Sequence, residues 1–495
     1  MAAHRDPAAL GRHDSWEGVK AVVAGFGVSG IAAADNLLFL GADVTALDEK
    51  PADQGSSERS ERASLLESLG ANLRLHPGAT QELPAETSLL VVSPGWRPDA
   101  ALIVQAQQRG IPVWGEVELA WRLRDPGPDG RPAPWLAVTG TNGKTTTTEM
   151  LDTILRTAGL RSAAVGNVGL PIVEAVMVPT PHDVFAVELS SFQLHYTQTM
   201  QAESAAVLNL AEDHLDWYDQ LGGMAGYARD KGRIYEGVSR ACVYNVADPV
   251  TQHLVEEAEV VEGARAVGFT LGMPSVGMLG VVEDILVDRA FIEERQSSAA
   301  ELCTIADLAS DAPHFVANAL AAAALARAHG VSRQAVRDGL RAFKPGGHRI
   351  EVVAQHAGIT WVDDSKATNP HAATSSLRAY DPVVWVAGGL AKGAHFDELV
   401  PAVKDRLRAV VLTGQDRAVI ADALARHAPD VPVVEAGTHE TGVAVMRAVV
   451  EAAARLAQPG DTVLLAPGCA SMDQFRDYAA RGDAFAQAVK EHTGQ

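Results

Sequence analysis

The chain has 495 residues, 47% of them hydrophobic, enough for about three domains with sizeable cores. Its 62 acidic residues outnumber 41 basic ones, and the net charge of −21 argues against nucleic acid and anionic membranes as partners. Cys242, Cys303 and Cys469 lie far apart with no C-x-x-C, which argues against a disulfide framework or zinc site and fits a reducing cytoplasm. The first 15 residues carry no apolar signal core, and no apolar run is long enough to span a bilayer, so a cytoplasmic protein is expected.

Residues 18–25 read as a strand that enters Gly25-Phe26-Gly27-Val28-Ser29-Gly30, a G-x-G-x-x-G. A helix over 31–40 and a strand over 42–47 follow, ending at Asp48-Glu49-Lys50. This βαβ unit admits two readings: an NAD-type Rossmann fold, or a cradle for another nucleotide diphosphate with Asp48 near a ribose or base. Gly27, Val28, Ser29, Asp48 and Glu49 are its candidate ligand residues. A strand over 89–92 ends in Ser93-Pro94-Gly95 at the same carboxyl edge, and residues 111–114 suggest another. Residues 124–134, rich in Pro, Gly and charge, read as a linker and a domain boundary.

The second domain opens on P-W-L-A-V-T-G-T-N-G-K-T-T-T-T, residues 134–148. A buried strand, a turn made by Gly140, Thr141, Asn142, Gly143, Lys144, Thr145 and Thr146, and a helix start form an anion cradle. Lys144 can reach β- and γ-phosphates, and the Thr145 hydroxyl can ligate Mg²⁺. Val138 stands where the full Walker pattern needs its first glycine. A strand over 183–188 ends in Glu188, a placement that suits a Mg²⁺ ligand. A strand over 205–208 leads to His214, again at a carboxyl edge. Lys231, on helical spacing alone, reads as a surface lysine. Residues 256–311 read as irregular antiparallel strands, and 313–329 as a helix with His314 and Asn318 four apart on one face.

Residues 343–348 (F-K-P-G-G-H) form a second linker. Strands over 359–363, 383–387, 409–412 and 462–466 alternate with helical patterns, which predicts a third, parallel sheet. Their ends carry D-S-K-A-T-N (364–369), G-G-L-A-K (388–392), G-Q-D-R (414–417) and P-G-C-A-S (467–471). Ligands of open α/β sheets bind at such edges. Three edges in one chain suggest ligand fragments converging on a central cleft.

These residues together resemble the Mur ligase family of ATP-dependent amide-bond ligases. G-T-N-G-K-T-T alone is shared with folylpolyglutamate synthetases. E-L-S-S-F-Q-L (188–194), E-D-H-L-D (212–216), D-S-K-A-T-N and C-A-S-M-D-Q-F (469–475) make the pattern more specific, most similar to the members that add D-glutamate. The resemblance implies an α/β fold of three domains. These are a Rossmann-like domain for a UDP-linked substrate (1–133), a P-loop-type ATP-binding domain with a mostly parallel sheet (134–345), and a Rossmann-like domain for the amino acid (346–495). It implies a cytoplasmic, monomeric enzyme that acts on UDP-N-acetylmuramoyl-L-alanine, D-glutamate and ATP through an acyl phosphate. The first G-x-G-x-x-G, with Ser93 and Gly95, then serves UDP instead of NAD.

Residue by residue, the resemblance assigns Lys144 to the transferring phosphoryl group, Thr145 and Glu188 to one Mg²⁺, and His214 and Lys231 to a second. An ammonium has no lone pair for a metal, and the family's matching lysine is carbamylated; the same is expected of Lys231. Asn318, Arg349 and Asp364 match ATP contacts. Asn167, Gln193 and His214 match substrate-facing positions, and Lys392, Ser471 and Tyr478, with Thr368 close by, match the D-glutamate pocket. Two departures stand out. Phe315 occupies a position where the family carries an adenine-side asparagine, and its ring could stack there instead. Tyr478 stands where relatives often carry Phe. The competing readings are an L-alanine- or diamino-acid-adding family member, an NAD-dependent oxidoreductase, and a non-catalytic nucleotide-binding module. The Asp-Asn-Pro-Arg motif of diamino-acid ligases is absent from the sequence.

Overall fold

A computed structural model describes residues 6–54, 57–127, 130–436 and 442–494. By contacts they fall into two compact units, one of residues 1–210 and 227–343, the other of residues 211–226 and 344–495.

The first unit begins with a parallel five-stranded sheet: β1 (Lys20–Ala24), β2 (Asp43–Asp48), β3 (Asn72–Leu75), β4 (Leu89–Val92) and β5 (Val113–Gly115), in the order β3-β2-β1-β4-β5. The order reverses between β1 and β4, which opens a crevice at their carboxyl ends. Helices Val28–Phe39, Ser57–Ser68, Ala101–Gln108 and Glu116–Arg122 connect or follow the strands. β4 is buried at all four positions, the pattern of a strand covered on both faces. β3 is partly exposed along its length, so its sequence (N-L-R-L) carries little apolar signal.

The same unit contains a nine-stranded sheet: β6 (Trp135–Thr139), β7 (Ser162–Gly166), β8 (Val184–Glu188), β9 (Ser204–Val207), β10 (Ala241–Asn245), β11 (Arg265–Phe269), β12 (Met278–Val282), β13 (Ile285–Asp288) and β14 (Ala300–Thr304). Its order is β14-β13-β12-β11-β10-β9-β6-β8-β7. The expectation of antiparallel strands over 256–311 is half right. β13 and β14 are antiparallel, but β11 and β12 extend the parallel sheet. Helix Lys144–Thr157 follows β6 and buries Met150, Leu151, Ile154 and Leu155. Each contributes about 2 kcal/mol by removal from water. Helix Pro313–His329 packs into the same core through alanines small enough for close approach.

The second unit contains β15 (Glu351–His356), β16 (Ile359–Asp363), β17 (Val383–Gly388), β18 (Leu407–Thr413), β19 (Val433–Glu435) and β20 (Thr462–Leu465), in the order β15-β16-β20-β17-β18-β19. The sheet is parallel except for β15, which forms an antiparallel edge with β16. Among the described residues no helix is long and apolar enough to cross a membrane.

Candidate active site

The phosphate loop leaves β6 with Gly140 at φ +151° and Gly143 at φ +84°, and helix Lys144–Thr157 starts at once. A β-carbon on Gly143 would stand 2.4 Å from Asn318 Oδ1, so only glycine fits under the Pro313–His329 helix. The loop is held from β9. Asn209 Oδ1 accepts from the Asn142 N–H at 2.9 Å, Asn209 Nδ2 donates to the Asn142 carbonyl at 3.0 Å, and the Thr141 N–H donates to the Asn209 carbonyl at 2.9 Å. The hydroxyls of Thr141 and Tyr227 lie 3.1 Å apart. Asn209 was missing from the sequence reading, because a single asparagine after a strand carries no motif. Thr145 is half-buried in the first helical turn, and Thr146 is buried.

Two lysines close on this loop. Lys144 Nζ donates to the carbonyls of Gly140 at 2.9 Å and Thr141 at 2.8 Å. Lys231 Nζ donates to the same Gly140 oxygen at 2.8 Å and to Thr139 Oγ1 at 3.3 Å, and sits 4.8 Å from the Tyr227 ring centroid. Lys231 is 1% exposed, which corrects the surface reading drawn from its spacing. Helix Met224–Gly232 turns its lysine face inward, toward β6, and a polar sequence neighbourhood conceals that.

Glu188 ends β8, the neighbour of β6 on the side opposite β9. It is 1% exposed. Its Oε1 accepts from Asn167 Nδ2 at 2.8 Å, while Oε2 is buried with no hydrogen-bond partner among the described residues. Asn167, expected to face substrate, here orients this carboxylate. Gln193, likewise expected at substrate, is buried in a capping box with Ser190 at the start of helix Ser191–His195. Phe315 is 7% exposed and packs in the central core against Phe343, ring centroids 6.1 Å apart. Its expected stacking role on a nucleotide base is therefore corrected: the ring is spent on the core.

At the first crevice, a β-carbon on Gly30 would meet the Gly25 carbonyl at 1.9 Å, whereas Gly27 faces open space. The turn thus needs Gly30 for closure and leaves Gly27 approachable. Asp48 is engaged by the chain itself, with Oδ2 accepting from the Phe26 N–H at 2.6 Å and Oδ1 from the Lys50 N–H at 2.8 Å. Arg59, which the sequence reading passed over, lies 3.6 Å from Asp48 and 5.1 Å from the Phe26 ring centroid. Glu49 binds Thr80 and the Gly78 N–H; chiefly the Thr80 hydroxyl holds its carboxyl below the usual range. Ser93 Oγ is 3.3 Å from the Gly25 carbonyl, Gly95 has φ +95°, and Val28 and Ser29 open the Val28–Phe39 helix.

In the second unit, burial pushes the Asp364 carboxyl up to about 6, against a hydrogen bond from the Ser376 hydroxyl, one from the Ile350 N–H and the nearby Arg349 charge. Lys366 Nζ lies 4.0 Å from the Tyr478 ring centroid, a cation that the sequence reading did not single out. Thr368 follows on the same loop, with its N–H on the Lys366 carbonyl at 2.8 Å. The loops that carry Lys392 and Ser471 are zipped by paired Leu390 and Ala470 bonds of 2.9 Å. Lys392 is strained at φ +51°, and Ser471 is 4% exposed. Beneath them Arg481 is fully enclosed and donates to Ser365 and to the Cys469 carbonyl. His214 also belongs to this unit, at φ 54° ahead of helix Leu215–Tyr218, with its Nε2 3.6 Å from Asp213.

Residues 138–326 match the Mur ligase middle domain, and residues 348–469 match the Mur ligase glutamate ligase domain. The UDP-N-acetylmuramoylalanine–D-glutamate ligase of Streptomyces avermitilis is 60% identical over 96% of this chain and 99% of its own length. The chain belongs to the Mur ligase family. The ligase of the same name from Mycolicibacterium smegmatis is 46% identical over 96% of this chain and 97% of its own. Among solved structures, the UDP-N-acetylmuramate-alanine ligase of Thermotoga maritima superposes with a TM-score of 0.55 at 18% identity, over 96% of this chain and 99% of its own. Folylpolyglutamate synthase of Mycobacterium tuberculosis, complexed with ADP, gives 0.52 at 18% identity over 73% and 91%. These structures share the fold.

Mur ligases use ATP and Mg²⁺, and the residues present fit both. Backbone N–H groups and a helix start face the loop, and the partnerless Glu188 Oε2 is a buried oxygen that a cation would satisfy. Among the described residues no cluster of three or more His, Cys, Asp or Glu forms a self-sufficient metal cage. The fit is to an ion shared with substrate phosphates, the ordinary habit of Mg²⁺.

Proposed function

We propose that this chain adds D-glutamate to UDP-N-acetylmuramoyl-L-alanine with consumption of ATP, in the cytoplasmic phase of peptidoglycan precursor synthesis. As a Mur ligase it is an ATP-dependent, ADP-forming amide ligase. The observation that carries the choice of amino acid is the 60% identity, end to end, with a D-glutamate ligase. In the reaction, the substrate carboxylate oxygen attacks the γ-phosphorus and ADP leaves. The D-glutamate amine then attacks the acyl carbon, loses a proton, and displaces phosphate as the amide forms.

In this reading Gly140 to Thr146 cradle the phosphates, and Lys144 neutralises the transferring group. Mg²⁺, when bound, neutralises phosphate oxygens; Thr145 and Glu188 would hold it, with Asn167 fixing the carboxylate's direction. Asn318, Arg349 and Asp364 are assigned to ATP. Gly27, Val28, Ser29, Asp48, Glu49, Ser93, Gly95 and Gln193 are assigned to the UDP-linked substrate, and Lys392, Ser471, Tyr478 and Thr368 to D-glutamate. The three functional domains, 1–133, 134–345 and 346–495, belong to the same proposal, as does a monomeric enzyme.

A second Mg²⁺ and a carbamylated Lys231 are part of this reading too. The support is electrostatic. Lys144 and Lys231 both donate to the Gly140 oxygen, and Lys231 is buried. Two ammonium groups so close in a dry site repel each other. Carbamylation replaces one positive charge with a negative one and supplies the oxygen ligand that an ammonium lacks. His214 is proposed as a further ligand on its chemistry, a ring nitrogen being a metal donor.

The test is incubation with ATP, UDP-N-acetylmuramoyl-L-alanine and single amino acids. Phosphate release with D-glutamate is expected. Release with L-alanine or a diamino acid in its place overturns the assignment.

A further inference from the structure

The residue before Lys231 is also buried, and it is anchored elsewhere. Asp230, on helix Met224–Gly232, is 2% exposed. Its Oδ2 lies 2.7 Å from His195 Nδ1. A carboxylate only accepts, so Nδ1 carries the proton between them. His195 is the last residue of helix Ser191–His195, which follows Glu188 after a two-residue turn. Arg233, three residues beyond Asp230, reaches the same helix end. Its guanidinium donates to the His195 carbonyl at 3.0 Å and to the Thr197 carbonyl at 2.8 Å.

These bonds belong to a closed ring. Lys231 Nζ donates to Thr139 Oγ1, and Thr139 Oγ1 donates to the Leu189 carbonyl at 2.7 Å. Leu189 follows Glu188, and Ser190 then caps the helix that ends at His195. His195 returns to Asp230, beside Lys231. Successive residues on a helix point about 100° apart. Asp230 and Lys231 therefore hold one helix to two different neighbours. The helix can neither roll nor slide without breaking a buried bond, and each such break is costly. Glu188 and Lys231 are thereby fixed to one another although they sit on separate elements.

We propose that Asp230 and His195 are positioning residues for ligation, which together hold the Lys231 side chain in register with Glu188 and the phosphate loop. The inference rests on the reading that Lys231 serves the reaction. Without the pair, Lys231 has a flexible stem on a helix that can turn. The loss then falls on turnover. It spares D-glutamate binding, because none of the residues assigned to D-glutamate bonds to the pair.

The test is steady-state kinetics of the full chain. ADP production is followed at saturating ATP and UDP-N-acetylmuramoyl-L-alanine while D-glutamate is varied. Asp230→Ala and His195→Ala should each lower kcat about tenfold, the worth of one charge-assisted hydrogen bond, with the KM for D-glutamate unchanged. The double variant should lose no more than either single one, because both remove the same bond. His195→Asn places an amide N–H near the site of Nδ1 and should recover most of kcat. His195 is partly exposed, so His195→Ala against His195→Asn carries the comparison if Asp230→Ala does not fold. The proposal is overturned by a parental kcat in His195→Ala, by a rise in the KM for D-glutamate in place of a fall in kcat, by losses that add in the double variant, or by His195→Asn no better than His195→Ala. Lys231→Ala separates the two levels. If it stays active, the reading of Lys231 fails and the pair's role with it. If it is inactive while His195→Ala turns over like the parent chain, only the pair's role fails.

Discussion

Asn209→Ala isolates what holds the phosphate loop in shape. The side chain makes two bonds to Asn142, 2.9 and 3.0 Å long, and the substitution removes both while keeping the backbone bond to Thr141. At about 1 kcal/mol net for each bond, the loop loses about 2 kcal/mol of preorganisation. Expressed wholly in nucleotide binding, that is a roughly 30-fold rise in the KM for ATP. Asn209→Asp keeps the acceptor but turns a carboxylate oxygen toward the Asn142 carbonyl beside the phosphates, so it should raise the KM at least as much as alanine does. The assay is ADP production at saturating UDP-substrate and D-glutamate, with a thermal melt beside it. The melt reads how much of the lost hydrogen bonding is felt by the fold and how much only by the loop. An Asn209→Ala enzyme with an unchanged KM for ATP would refute the reasoning, because the loop would then hold its shape without its strut.

Glu188→Gln should cost about a hundredfold in kcat and move the Mg²⁺ titration to higher concentration, since the amide offers a weaker metal ligand; an unmoved titration excludes Glu188 from the metal site. Lys231→Ala should be inactive and regain activity with added short carboxylic acids, which replace the carbamate oxygens; failure of every acid counts against carbamylation. Gly143→Ala should lower both ATP affinity and Tm, because the new carbon meets Asn318 at φ +84°. Removal of that oxygen in Asn318→Ala should restore part of the Tm loss in the double variant. Asp364 has a raised folded-state pKa, so its protonated form is the one that folding favours. Its contribution to stability is present below the ordinary value of 3.8 and is lost as pH rises through about 6. Asp364→Asn should flatten the stability profile across that window, and an identical profile in both proteins would remove Asp364 as its cause.

The α/β class and the phosphate loop were legible because their signals are local: apolar runs for β6 and β8, and glycines at fixed offsets between a strand and a helix. Helix Pro313–His329 appeared at its observed bounds because proline starts it and glycine ends it. Elements that depend on partners were not legible. β3 and β19 are short strands with exposed positions, β15 is an edge strand exposed along most of its length, and helix Ser57–Ser68 is mostly polar. At the site, residue types chosen for chemistry were easier to see than those chosen for position. Glu188 could be read as a strand-end carboxylate, but not the partnerless oxygen that Asn167 leaves it. Lys231 looked exposed because its neighbours in sequence are polar, while its burial is decided by β6, nearly a hundred residues away. Phe315 misled in the other direction, since aromatic character says nothing about which side of a helix meets a core.

The order of the nine-stranded sheet has a consequence for how the protein is made. β6 is the first of its strands to be synthesised, yet it lies in the interior of the sheet, between β8 and β9. A nascent chain that has just released Thr146 from the ribosome therefore holds the motif without its shape. The strut from Asn209 and Asn318, which packs over Gly143, emerge only later, so nucleotide affinity should switch on late in translation. Until then the glycines at 140 and 143 lack the neighbours that fix their conformation in the folded chain.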